Sequence, residues 1–188
     1  MIGRKVLIVL LLVLALLVLT AWINPQPTWI KDVRRKLPVH PDRKYNRRIL
    51  STIEQVIIHH STGPTTQTPS SIAQYHVGPN HISNEGIPGI AYHYIIDREA
   101  NVFHTQDLEN ISWHVSGQNT RSIGICFIGD YDELEPTEMQ ILQLLRLIQY
   151  LNRRLGRRLQ IAGHRDYSTK TCPGKYTNLD QVRQKLNY

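Results

Sequence analysis

The sequence predicts an α/β protein: a single domain with a central mixed β-sheet flanked by helices, preceded by an N-terminal transmembrane helix. Three observations carry this. Short apolar segments of strand length alternate with helix-like segments from Ile49 onward, the order of a sheet covered by helices. One pair of strands is separated only by a tight turn, which adds an antiparallel member. Upstream, Val6 to Ile23 is an almost unbroken apolar run behind Arg4 and Lys5.

That run is long enough to cross a bilayer, since eighteen residues at ~1.5 Å rise span about 27 Å. A cleaved signal peptide is the competing reading, but the run exceeds a usual signal core and no A-x-A site follows it. Trp22 and Trp29 suit an interfacial belt. Residues 1–23 are thus expected to be a membrane anchor. Residues 24–48 hold Pro25, Pro27, Pro38 and Pro41 without apolar periodicity, and read as an extended basic tether. Fully extended, such a tether reaches about 80 Å. The domain proper is expected over 49–188.

Within it, Glu54–His60 is predicted to be a buried strand. Pro69–Val77 begins like a helix, with a proline start and Ser/Thr capping options. Ala91–Asp97 is a strand, Arg98–Asn101 a turn, and Val102–Thr105 the returning partner. Ser122–Gly129 is a further apolar strand. Pro136–Gly156 is the strongest helix: apolar residues recur at Met139, Leu142, Leu145, Leu147, Ile148 and Leu151, with proline at its start and glycine at its end. Arg158–Gly163 is a short strand running into His164, and a last helix covers about Asn178–Leu186. The arginines of Asn152–Arg158 read as offsetting the dipole of the helix they end, with a ligand-binding patch as the alternative.

Charge excludes one class of function. Of the formal net charge of +7, residues 1–48 supply ten Lys/Arg against two Asp, while 49–188 hold twelve against thirteen Asp/Glu. A nearly neutral domain lacks the basic footprint of a nucleic-acid binder. The excess lies beside the apolar run, where it solvates a tether or attracts anionic headgroups. A monomer is expected.

The chain has two cysteines. Cys126 lies in an apolar strand and reads as a small buried hydrophobe. Cys172 sits in Gly163–Gly174, G-H-R-D-Y-S-T-K-T-C-P-G, close to His164 and Lys170, and is the chemical candidate. Histidine and thiolate suit zinc, but a catalytic site needs a third ligand and one open position. His59 or His60, ending a buried strand, can project it into a cleft. Strand alternation puts these two on opposite faces, and periodicity does not choose between them. A metal-free cysteine hydrolase pairing Cys172 with His164 would lack an orienting third group. His76, His81, His93 and His104 read as packed or hydrogen-bonded residues.

Four motifs in order, V-I-I-H-H-S, A-Y-H-Y-I-I-D, W-H-V-S-G-Q-N-T-R-S-I-G-I-C-F-I-G and the Gly163–Gly174 stretch, resemble zinc-dependent N-acetylmuramoyl-L-alanine amidases. The nearest branches are phage lysozyme-type amidases and peptidoglycan recognition proteins, matching from about Glu54 to Lys175. The resemblance implies His59, His164 and Cys172 as zinc ligands and Tyr92 beside the attacking water. It also implies Lys170 at the oxyanion and His114 as a substrate contact. It implies hydrolysis of the bond between N-acetylmuramic acid and L-alanine of peptidoglycan. The resemblance to recognition proteins makes a non-catalytic peptidoglycan-binding module the alternative, but members that only bind typically lack the cysteine, which this chain keeps. A substrate outside the cytoplasm places the domain outside the cytoplasmic membrane, anchored there or secreted after cleavage.

Overall fold

The structure is a computed structural model that describes residues 26–187 together with Gly3, Val6 and Val9. Most of the expected anchor, Val6 to Ile23, lies outside the described residues. Among those described, no helix is long and apolar enough to cross a membrane.

Six strands form one sheet: β1 (Ile30–Asp32), β2 (Gln55–His60), β3 (Tyr94–Ile96), β4 (Val102–His104), β5 (Ser122–Phe127) and β6 (Gln160–Gly163). Their spatial order is β1-β4-β3-β5-β2-β6. The β3–β4 pair is antiparallel and the others are parallel, so the sheet is mixed as expected. Among the described residues of the domain, the α-helices are α1 (Pro69–Val77), α2 (Glu138–Leu155) and α3 (Leu179–Lys185).

Residue alternation divides the sheet into two working faces. Val56 and Ile58 of β2, with Ile123, Ile125 and Phe127 of β5, pack against Leu144, Leu147, Ile148 and Leu151 of α2. Each such side chain contributes about 1.5–3 kcal/mol by leaving water. The intervening residues, Ile57 and His59 on β2 and Gly124 and Cys126 on β5, point the other way, where α1 supplies Ile72 and Ala73. That second face carries the site.

Helix α2 starts where Thr137 and Gln140 cap each other reciprocally and ends where Gly156 turns left-handed at φ 63°. Its buried face is shifted from the expected one. Met139 and Leu142 are exposed, while Ile141, Leu144, Leu147, Ile148 and Leu151 are buried, with Gln140 among them. A leucine-rich helix offers two overlapping apolar stripes, and the sheet selects one.

The segment expected as a tether is packed onto the domain. Ile30 is buried and β1 pairs with β4 along the sheet edge. Trp29, expected in a membrane belt, instead stands edge-on to Tyr150 at 6.2 Å with the Arg146 guanidinium 4.3 Å above its ring. Arg48 is buried and donates to the carbonyls of Leu108 (2.8 Å), Asn119 (2.8 Å), Thr120 (3.0 Å) and Ser122 (2.7 Å). Few local apolar residues are needed when long-range hydrogen bonds do the holding, so composition did not reveal this docking.

Candidate metal centre

The site begins with strand register. Ile58 of β2 lies opposite Gly163 of β6, so the residues that follow, His59 and His164, emerge side by side. Their rings are 4.9 Å apart. The loop after His164 doubles back when Arg165 N–H donates to the Cys172 carbonyl at 2.7 Å, returning the thiol to the strand end. Gly174 has φ 98° and packs on the Tyr131 backbone, where an added Cβ would come within 2.3 Å. A glycine is required there if Cys172 is to hold its place.

The result is a compact donor set. Ligand atoms of His59, His164 and Cys172 lie within 4.8 Å of one another. Cys172 Sγ is 3.6 Å from His59 Nδ1. His59 Nε2 is turned away, 2.9 Å from His114 Nδ1, so Nδ1 is the nitrogen offered to the cluster. Burial, with neighbouring His114 and His164 adding to it, holds the His59 pKa well below the usual histidine range. Burial and then Lys170 lower that of His164. Burial pushes the Cys172 thiol up to about 12, although the His60 backbone N–H donates towards it. Two neutral imidazoles and a thiol with no carboxylate among them make a soft, uncharged nest suited to a zinc ion.

A second cluster brings His60 together with Asp130 and Asp132. Each of its residues already accepts a hydrogen bond: His60 Nδ1 from Tyr131 N–H at 3.0 Å, Asp130 from Asp132 N–H at 3.0 Å, and Asp132 from Thr171 and from Lys175 N–H. This separates the paired histidines. His59 faces the cluster, and His60 supports the loop behind it.

The cleft over the first cluster has a volume of about 460 Å³ and is bordered by Tyr92, His114, Lys170 and the exposed Trp113. The Tyr92 ring lies 5.1 Å from that of His59. Burial raises the Tyr92 pKa far above its ordinary value, so its phenol stays protonated. Both nitrogens of His114 are engaged within the protein, Nε2 being 3.1 Å from Ser122 Oγ. His114 lies over Gly124, where an added Cβ would meet its ring at 2.9 Å. His76 and His81 were expected only as packed or hydrogen-bonded residues. Both make such bonds, Ala91 N–H to His76 and Tyr75 hydroxyl with His81, yet both also border the cleft. Trp113 and Tyr75 border it too and were not singled out in the sequence; the adjacency of Trp113 to His114 was the available signal.

Three comparisons bear on this arrangement. The family model for N-acetylmuramoyl-L-alanine amidase matches residues 50–175. Peptidoglycan-recognition protein SC1a of Drosophila melanogaster is 33% identical over 129 residues, covering 66% of this chain and 69% of its own. The endolysin of Enterobacteria phage T3 is 30% identical over 132 residues, 65% of this chain and 82% of that one. Among solved structures, the amidase LysC of Clostridium intestinale superposes with a TM-score of 0.72 at 24% identity, covering 87% of this chain and 99% of LysC. Bumblebee PGRP-SA gives 0.71 at 24% identity, covering 86% and 96%. The two structures establish a shared fold.

Proposed function

The chain belongs to the N-acetylmuramoyl-L-alanine amidase family, and from that premise we propose that it is a zinc-dependent hydrolase of peptidoglycan. It cuts the amide between N-acetylmuramic acid and L-alanine. The observation that carries the proposal is the convergence of His59, His164 and Cys172 at one end of an open cleft. These three residues would hold the ion, the number of protein ligands that a catalytic zinc takes. When bound, zinc supplies Lewis acidity to water and to the scissile carbonyl.

The remaining roles belong to the chain. Lys170 borders the cleft with its ammonium, which shares the negative charge that grows on the carbonyl oxygen during attack. Tyr92 presents a protonated phenol beside His59, able to orient the attacking water and pass a proton to the leaving amine. Trp113 and Tyr75 offer ring faces for sugar or peptide. His114 forms wall rather than a free donor, because its nitrogens are taken.

The identity to recognition proteins favours a second reading, a groove that binds peptidoglycan without cutting it. The presence of Cys172, Tyr92 and Lys170 in one cleft supports cleavage instead. The proposal also includes attachment to the cytoplasmic membrane by Val6–Ile23, with the domain outside, supported by the length of that run. Elemental analysis of the purified full chain tests the centre. About one zinc per chain is expected in the wild type, with marked loss in Cys172→Ala. A metal content unaffected by that substitution would remove the site from the account.

A further inference from the structure

Four groups run in line across the sheet from the Gln118 carbonyl to the metal centre. Ser122 Oγ is 2.7 Å from Gln118 O and 3.1 Å from His114 Nε2, and His114 Nδ1 is 2.9 Å from His59 Nε2. Strand register builds the line. Ser122, Gly124 and Cys126 lie opposite Gln55, Ile57 and His59, and point to the same face. The missing side chain at Gly124 leaves the hollow in which the His114 imidazole bridges from Ser122 to His59. Asn119 fixes the loop that delivers it, its Oδ1 accepting from both His114 N–H (2.9 Å) and Val115 N–H (2.8 Å).

The direction of each hydrogen bond in this line is determined. Two oxygens at 2.7 Å need a proton between them, and a carbonyl has none, so Ser122 spends its only proton on Gln118. Its oxygen can then only accept from His114, which places the His114 proton on Nε2. A neutral ring has one such proton, so His114 Nδ1 is an acceptor and the proton shared with His59 sits on His59 Nε2. His59 Nδ1 is left with a bare lone pair facing Cys172 Sγ, inside the donor set that His164 completes.

We propose that His114 and Ser122 are positioning residues that lock His59 in the Nε2–H tautomer, so that its Nδ1 is ready for zinc. Ligating histidines commonly depend on an acceptor at the second nitrogen, usually a carboxylate, a carbonyl or water. Here the acceptor is another histidine, held in turn by a serine. The assignment rests on the zinc reading above, but the line of hydrogen bonds can be read without metal.

The test uses the full chain. Long-range proton–nitrogen spectra of the imidazoles, recorded on metal-free protein, should show both His59 and His114 protonated at Nε2. In chelator competition, Ser122→Ala and His114→Leu should each weaken zinc about 10–100-fold. Ser122→Thr, which keeps the hydroxyl, and His114→Asn, whose amide oxygen can replace Nδ1 as acceptor, should recover most of the loss. Unfolding midpoints distinguish a lost acceptor from a lost fold, and the wild-type spectrum stands whatever the variants do. A His59 ring protonated at Nδ1 overturns the proposal. So does a folded Ser122→Ala or His114→Leu that holds zinc as tightly as the wild type. A wild type with both rings protonated at Nε2 that takes up no zinc supports the relay and overturns the zinc reading beneath it.

Discussion

His59 and His60 are adjacent in sequence and separated in function by the pleat of one strand. His59 turns Nδ1 to the cluster, while His60 accepts from Tyr131 N–H on the opposite face. His59→Ala should therefore abolish tight zinc binding, and His60→Ala should leave zinc in place while costing about 1–3 kcal/mol for the stranded Tyr131 amide. Metal analysis with chemical denaturation reads both, and a His60 variant without metal would exchange the assignments. Lys170 borders the cleft but contributes no atom to the donor set. Lys170→Ala should keep zinc and lose about 10²–10³-fold in kcat, the usual consequence of removing one oxyanion donor. Tyr92→Phe keeps the ring against His59 and removes only the hydroxyl; turnover should fall with zinc retained. If both variants turn over like the wild type, these helpers are misassigned.

Helix α2 shows how far local pattern carries at the scale of an element. Its limits were readable from Pro136 and Gly156, because helix starts and stops are local chemistry, and the structure adds the Thr137 cap. Its buried stripe was not, because the choice between Leu142 and Leu144 is made by the sheet. Leu144→Ala should cost about 2–5 kcal/mol, and Leu142→Ala, at an exposed position, at most about 0.5 kcal/mol; equal unfolding midpoints would refute that placement. The N-terminal segment shows the same limit more sharply. Strand β1 is three residues long, too short for periodicity, and the carbonyls that hold Arg48 lie 60 to 74 residues away in sequence. The centre was partly legible for the converse reason: His164 and Cys172 are close in sequence, and the motif resemblance selected His59. The line through His114 and Ser122 was not, since it needs the register of β2 against β5 and the hollow at Gly124.

On the scale of the whole molecule, the docked segment changes both the folding unit and its reach. A chain truncated to residues 49–188 loses β1 and Arg48, and should unfold at clearly lower denaturant than one beginning at residue 26; equal midpoints would restore the tether. The first buried residue of the packed domain, Ile30, follows Ile23 closely. Seven residues at ~3.3–3.6 Å each bridge at most about 25 Å, far less than a free tether of that segment's full length would. With the proposed anchor at Val6–Ile23, the domain would therefore be held close to the membrane surface. It should stay with the membrane fraction through a high-salt wash, because a spanning helix is held by apolar burial rather than charge. A soluble product beginning near residue 22 would show a cleaved signal instead. The most direct test of the central claim is release of stem peptide from a muramyl peptide, followed by the appearance of a free L-alanine amine. The full chain should release it, stop when a chelator strips the metal, and resume with added zinc, while Cys172→Ala stays inactive. A zinc-loaded wild type that binds the muramyl peptide and leaves it intact would contradict the claim and make the cleft a recognition groove.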